Sequence, residues 1–506
     1  MKRLSLSLLC CLLLAPALLM AQSWQQKLDQ MQERIALKQQ HQQSRVDLQY
    51  ANQIRRLWLQ VEMEQPIDRP VLPDPDFPRV YDPGVAPEDR QGTQWAVVPP
   101  GPDDPSFARQ PADEQIDDAQ VEAAMPPAIA TDLRKLDREV QAAYFGQQIT
   151  VRYDSRMNLD LRGRITEARI ADAWTQLDGT KHELLLYQLT RQARDMRLND
   201  WGFCQLISTT AQRIYPNDKN ARVLFSWFCL AKSGYIATVS YDNDRIYLLV
   251  PSQQTLYGMS YVNAKDGKLY AIDLEGGPVA LNSARVFRQK YPEADRRLDL
   301  RVQQAPRFPS RTQRRMLEFT YAKQTYRIPV EVNRNAIDFY KTYPFVDMGI
   351  YLAAPLSAEA YQSLVDTLRV LARGVTPTKG RTAEEEGVNF LLRFTQTALS
   401  YKPDGEQFGG EKYLFADETL FYPYSDCEDR AILFGQLVRE IFKLDIVGLI
   451  YPGHAATAVA FSRRVPGDYL TYEGRHYLIC DPTYIGADCG VSLPDVQGQQ
   501  VKVIPF

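Results

Sequence analysis

Histidine and cysteine are scarce in this chain, with four and seven copies among 506 residues. So few cysteines exclude a disulfide-dense scaffold, and every remaining copy of either residue becomes conspicuous. Charge of one sign is missing too. The formal net charge is −3, and it becomes about −5 if Lys2 and Arg3 leave with a leader. No basic stripe is present, so no nucleic-acid partner is expected. Long apolar runs are absent after residue 21, which argues against a multi-span membrane protein.

The one apolar run lies at the start. Lys2 and Arg3 form a basic opening, Leu4 to Leu19 is apolar, and Ala21 is a small residue before a cut at Gln22. Residues 1–21 therefore read as a secretory signal peptide. The expected location is periplasmic or extracellular; an uncleaved signal tethering the chain to a membrane is the alternative. A lipoprotein reading through Cys10 or Cys11 lacks the small residues that should precede either one. Without them the cysteines are Cys204, Cys229, Cys427, Cys480 and Cys489. An odd number fits one free reactive thiol with zero to two disulfides. Cys480–Cys489 and Cys204–Cys229 are the candidate pairs, and four reduced core residues the alternative.

The composition shifts along the chain. Residues 22–65 contain no Pro or Gly, and Trp24, Leu28, Met31 and Ile35 recur at four-three spacing, as do Ala51, Ile54, Trp58 and Val61. One or two amphipathic helices are expected, either docking a partner protein as a coiled coil or lying on the body of this one. Residues 66–130 read as a disordered acidic linker, with 14 of the 32 prolines falling between 66 and 127. Residues 131–285 mix helices and strands. Residues 286–379 read as a β-rich connecting region, with MLEFTYAK, TYRIPVEV and DFYKTY as strands and one helix after them. Residues 380–506 form the last unit, in which a helix beginning CEDRAILF leads into strands IVGLIY, ATAVAF and RHYLICD. The fold class is α+β.

The two halves echo one another. KNARVLFSWFCLAKSGYIATVSY…KLYAIDL and CEDRAILFGQLVREIFKLDIVGLIY…HYLICDP share a helix–strand–strand–Asp order at an offset near 209. At that offset Asp218 stands at the place of Cys427, Asp273 falls close to Asp481, and nothing in the first half matches His454. The first half is then a degenerate copy of the second, or the two share only a common apolar pattern.

Chemistry concentrates in the last unit. Cys427 lies in PYSDCEDRAILF, His454 in YPGHAATAVAF and Asp481 in YLICDPTY, each 27 residues after the last. A thiol becomes a good nucleophile only as thiolate, and a helix N-terminus with a nearby imidazolium promotes that form. An acid fixes the imidazole tautomer and steadies its charge. Cys427 is expected as nucleophile, its backbone N–H as a donor to the oxyanion, His454 as general base and acid, and Asp481 as orienter. His476 is the local rival of His454, but five residues before Asp481 on an extended strand it faces the opposite side. Tyr422 and Tyr424, in the aromatic loop before the nucleophile, either line a substrate groove or pack the loop onto the core.

DCEDRAILFGQLVREI, then GHAATAV, then a strand ending in DPT, resembles the transglutaminase-like superfamily. The similarity is closer to bacterial transglutaminase-like cysteine peptidases, with Val388, Asn389, Tyr401, Asp404, Tyr413, Glu418 and Leu420 leading into Asp426-Cys427-Glu428-Asp429. The resemblance spans residues 385–490. It departs from the family pattern at Ser425, where glycine is usual, and at Arg430, where an aromatic is usual. It implies a papain-like catalytic domain, and calcium bound by the acids on either side of the cysteine, here Asp426 and Glu428. The bland reading of those acids is that they complement the helix dipole. No other cofactor is required.

The expected activity is amide hydrolysis in protein or peptide substrates of the cell envelope, through a thioester at Cys427. Transamidation by the same triad is one alternative. A non-enzymatic envelope scaffold is another, and a zymogen whose groove is blocked by the first half or the linker is a third.

Overall fold

A computed structural model describes residues 15–38, 45–70, 79–82, 92–98, 132–276, 279, 281–496 and 498–505. The chain is mixed α and β and divides into two compact units. Unit 1 holds Met1–Asp68, Pro111–Leu300 and Pro306–Pro309; unit 2 holds Arg69–Gln110, Arg301–Ala305 and Ser310–Phe506. The first fourteen residues, which carry most of the signal-peptide expectation, lie outside the described residues.

Helices α1 (Ala15–Lys38) and α2 (Arg45–Arg56) open unit 1. Trp24, Leu28, Met31, Ile35, Tyr50, Ala51 and Ile54 are all buried. Trp24 Nε1 donates to the Leu198 carbonyl at 3.3 Å, and its ring meets Phe203 edge-on. The apolar seam that a docking coil would present is thus occupied within unit 1. Helix also stops earlier than its periodicity predicts. Trp58 and Val61 lie on strand β1 (Trp58–Glu62), whose backbone is claimed by an antiparallel neighbour at Ser283–Phe287. A second early strand, β2 (Gln94–Trp95), belongs to unit 2.

Unit 1 continues with a hairpin, β3 (Arg138–Tyr144) and β4 (Gln147–Tyr153), then helices α3 (Glu167–Asp178), α4 (His182–Asp195), α5 (Asp200–Ile214) and α6 (Lys219–Lys232). Strands β5 (Thr238–Asp242), β6 (Arg245–Pro251), β7 (Tyr261–Ala264), β8 (Gly267–Ile272) and β9 (Ser283–Phe287) complete it. Its sheet runs β1-β9-β5-β6-β8-β7. Just past β1, the Glu64 amide donates to the carbonyl of Tyr261 on β7. Residues 58–64 therefore bond both edges of the sheet.

Unit 2 opens on a longer hairpin, β10 (Thr312–Tyr321) and β11 (Gln324–Asn333). Helices α7 (Arg334–Tyr340) and α8 (Met348–Ala353) follow, then α9, which runs through Ala358–Ala360, a π turn at Tyr361–Val365 and Asp366–Gly374. DFYKTY, expected as a strand, instead lies in α7 and the turn after it. The Asn333 side chain accepts from the Asn335 amide and starts a helix there. Next come α10 (Ala383–Thr397), β12 (Ser400–Tyr401), α11 (Asp404–Gln407), α12 (Ala416–Phe421), β13 (Tyr424–Ser425) and α13 (Cys427–Phe442). The unit ends with β14 (Asp445–Tyr451), β15 (His454–Ala460), β16 (Tyr469–Tyr472), β17 (Arg475–Cys480) and β18 (Lys502–Pro505).

Two sequence devices set the helices around Cys427. Thr382 and Glu385 form a capping box that starts α10. Gly387 then lets α10 approach closely, because a Cβ there would lie 2.3 Å from Phe442 Cζ and 2.8 Å from the Ala372 carbonyl oxygen. The hairpin packs on the same helix, with Phe319 and Tyr326 rings against Phe390. Residues 310–379 are thus part of unit 2, not a connector to it.

The sheet of unit 2 runs β18-β14-β15-β17-β16-β2. Its order β18-β14-β15-β17-β16 repeats the order β9-β5-β6-β8-β7 of unit 1, with every neighbouring pair antiparallel in both. Residues 94–98 close it: β2 pairs with β16, and Val98 donates to the carbonyl of Val501, which runs into β18. Trp95 enters the core beside Tyr451. The closing segment is antiparallel to its partners in unit 1 and parallel in unit 2. The linker expectation is corrected here. Part of the Pro-rich segment supplies a strand, and at the Ile485 loop the Tyr81 amide donates to the Ile485 carbonyl while the Ile485 amide donates to the Arg79 carbonyl.

Candidate active site

Cys427 is the first residue of α13, His454 the first of β15, and Asp481 directly follows β17. β15 pairs with β17, which brings the last two together. His454 Nε2 lies 2.7 Å from Asp481 Oδ2. Asp481 Oδ1 accepts from the amides of Thr483 at 2.9 Å and Tyr484 at 3.1 Å, so the carboxylate is held from both oxygens. With the Nε2 proton on the Asp481 side, Nδ1 is the basic nitrogen of the neutral ring. The amide of Ala455, next to His454, hydrogen-bonds the Cys427 sulfur. His476, by contrast, stacks on Tyr469 with ring centroids 4.3 Å apart.

All three residues are buried, and Cys427 is only 3% exposed. Its Sγ donates to Glu428 Oε2 at 3.0 Å. Burial, then the carboxylates of Glu428 and Asp426, push the thiol well above its ordinary range. Without a compensating charge the Cys427 side chain stays a protonated thiol.

Glu428 and Asp426 belong to a cluster of five carboxylates. Asp404, Glu411 and Glu428 bring ligand-capable oxygens within 4.8 Å of one another, and so do Asp404, Asp426 and Asp429. Burial raises Asp404 to about 7, and it raises Asp426, Glu428 and Asp429 well above the carboxylate range. Asp426 Oδ1 is buried with no hydrogen-bond partner among the described residues. An unsatisfied buried oxygen amid crowded acids fits a hard divalent cation. The two acids named from sequence therefore have three companions. Asp404 was signalled by its place in the family-like run; nothing in the sequence pointed to Glu411.

Of the supports behind Asp481, Asn389 was signalled by its place in the family-like run and Gln396 was not. Buried Gln396 donates to the Asp481 carbonyl at 3.0 Å and the Ala487 carbonyl at 2.9 Å, and accepts from the Gly486 amide at 3.1 Å. Asn389 accepts from the Cys489 amide at 2.8 Å. Both stand on α10 and pin the loop behind Asp481. Cys480 and Cys489 hydrogen-bond as thiols, and all five described cysteines are free.

On the other side, Arg315 of β10 donates to the carbonyls of Leu420 at 3.3 Å, Tyr422, and Pro423 at 3.2 Å. It caps the C-terminal end of α12 and anchors the strand leading to the nucleophile. Tyr422 packs between Phe408 and Phe421. Tyr424 is 41% exposed, with Lys402 Nζ 5.5 Å over its ring. Of the two tyrosines, only Tyr424 stands at the surface beside the site.

Known proteins offer no external guide: no family model, no curated protein and no solved structure matches this chain.

Proposed function

We infer that unit 2 is an exported cysteine hydrolase with a papain-like, transglutaminase-like fold, acting on amide bonds of envelope proteins or peptides. The observation that carries this reading is the His454–Asp481 bond, with the Cys427 sulfur held by the adjacent Ala455 amide.

The proposed reaction has two halves. His454 Nδ1 takes the Cys427 proton, and the sulfur adds to the amide carbonyl carbon. The Cys427 amide, at the start of α13 with no intrahelical acceptor, would donate to the oxyanion. His454 then protonates the leaving amine, the C–N bond breaks and a thioester remains. Water, deprotonated by His454, releases the acid and restores the thiol. Asp481 keeps the imidazole in one tautomer and balances its positive form throughout.

Asp404, Asp426, Glu428 and Asp429, with Glu411, are the residues that would hold calcium. The ion would supply positive charge that offsets the acids flanking Cys427. With Glu428 drawn onto it, the thiol would lose the acceptor that now keeps its proton. The burial of Cys427 and its bond to Glu428 also favour a second reading, in which the enzyme is latent until the acids are neutralised.

Envelope proteins incubated with the mature chain and with Cys427→Ala, with and without calcium, test both readings. New N-termini that appear only with the intact thiol establish a peptidase, and their restriction to the calcium arm establishes latency. Glutamyl-lysine links in their place establish a transamidase. Identical outcomes from the two proteins in every arm would leave a scaffold. Cys427→Ala and His454→Ala are expected to abolish turnover, and Asp481→Ala to reduce it less.

A further inference from the structure

The repeated strand order lets the triad be traced into unit 1 by element position, without a residue offset. Cys427 is the first residue of α13 after the N-cap Asp426, and Lys219 is the first residue of α6 after the N-cap Asp218. His454 opens β15, and Arg245 opens the equivalent strand β6. Asp481 directly follows β17, and Asp273 directly follows β8. These three residues of unit 1 also meet. Asp273 Oδ2 accepts from Lys219 Nζ at 2.8 Å and from Arg245 Nη2 at 3.2 Å. The acid is held by the same local turn in both units: Asp273 Oδ1 accepts from the amide two residues on, Glu275, at 3.0 Å, as Asp481 Oδ1 does from Thr483 at 2.9 Å.

We propose that unit 1 is a second copy of the catalytic fold in which the triad positions carry a Lys219–Arg245–Asp273 ion-pair lock, so that the chain has one reactive centre and one inert one. The chemistry excludes thiol catalysis in unit 1. Neither replacement supplies a thiol, and a guanidinium cannot act as a base at neutral pH. The orienting acid now ties the start of the helix to the start of the strand. The setting differs as well: Lys219 and Arg245 are 39% and 49% exposed over an Asp273 that is 13% exposed. A pair of long cations at the surface would not persist in a copy still selected for a buried nucleophile. The proposal rests on the Cys427, His454 and Asp481 triad, and it stands whatever that triad cleaves.

The test rebuilds the site in a Cys427→Ala background, using iodoacetamide as probe and peptide mass mapping as readout. Lys219→Cys alone, Lys219→Cys with Arg245→His, and that pair with Asp273→Asn are compared across pH, each checked for fold by near-ultraviolet circular dichroism. The paired variant should label at residue 219 with a midpoint at least about one pH unit below the ordinary thiol value near 8.5, and Asp273→Asn should return it towards that value. A folded paired variant whose thiol titrates ordinarily, or ignores Asp273→Asn, overturns the equivalence. Asp273→Asn in the otherwise native chain provides a second arm independent of that rebuilt site. There the buried Cys204 and Cys229 of unit 1 should label at a lower temperature than in the native chain, while Cys427 labels at an unchanged rate. Cys204 and Cys229 labelling unmoved, or Cys427 labelling altered, would overturn the lock or the inertness of unit 1 respectively.

Discussion

Arg430 Nε donates to Ser425 Oγ at 3.3 Å, across the start of the helix that presents the nucleophile. These are the two positions where the resemblance leads one to expect glycine and an aromatic, and here their side chains bond to each other. The guanidinium is 1% exposed, and it also donates to the carbonyls of Gln396 at 3.3 Å and Leu399 at 2.7 Å, stacking over Tyr401. Arg430→Leu leaves those acceptors buried and unpaired. A loss of about 3 kcal/mol in unit 2 is expected from denaturant unfolding, and Arg430→Lys should not restore it, because a single ammonium cannot span the fork. Ser425→Gly alone should cost about 1 kcal/mol. Additive effects in the double variant would show that the pair is not coupled.

Calcium and pH should act on the same carboxylates. Burial first, then Glu411, raises Asp404 from 3.8 to about 7. A carboxyl whose folded value lies above its unfolded value binds more protons when folded. The ion-free protein should therefore lose stability as pH rises from about 4 to about 7. Calcium competes with those protons, so its stabilising effect should grow over the same range and flatten the decline. Melting temperatures in chelator and in millimolar calcium check this; an equal pH slope in both would remove the cation site.

Arg315 should act at a distance from the reacting atoms. Arg315→Ala releases three carbonyls of the segment carrying Tyr422 and Tyr424, so KM should rise several-fold with a smaller fall in kcat. Limited proteolysis should open residues 415–425 in that variant, and the pH profile of Cys427 alkylation should not move. A kcat loss equal to that of His454→Ala would place Arg315 in the chemistry instead.

A fragment of residues 380–506 should not fold. It lacks the hairpin rings of Phe319 and Tyr326 that cover Phe390, and Trp95, which enters the core of the sheet beside Tyr451. Calorimetry is expected to show no cooperative transition. A sharp melt from that fragment would mean that the upstream segments are dispensable.

The nucleophile helix was legible because CEDRAILFGQLVREIF combines an acidic first turn with a continuous apolar face, and it starts at Cys427 as expected. The strand that opens on His454 and the one that Asp481 follows were legible from their β-branched and aromatic runs. DFYKTY misled because its alternation of apolar and polar residues reads as strand, whereas the Asn333 cap decides for helix. Trp58 and Val61 kept helical spacing by coincidence while the edge of a sheet claimed their backbone. Arg315 and Gln396 were invisible because nothing local marks a residue whose partner lies 107 or 34 residues away, as in the Arg315–Tyr422 and Gln396–Arg430 contacts, and Glu411 carries no mark that separates it from any other loop acid. The two-residue strand inside the Pro-rich stretch has too few positions to show any period.

The bond between Gln94 and Tyr469 spans 375 positions of chain. Whatever the order in which the rest of unit 2 assembles, its sheet has an open seam until that early segment is captured by the last-made strands. Closure so remote in sequence is slow to find. During synthesis residues 94–98 would leave the ribosome long before their partners exist, as an unpaired strand in waiting. Maturation of this protein would then be paced by one late zipping event, and any factor that shelters residues 92–98 in the meantime would govern its yield.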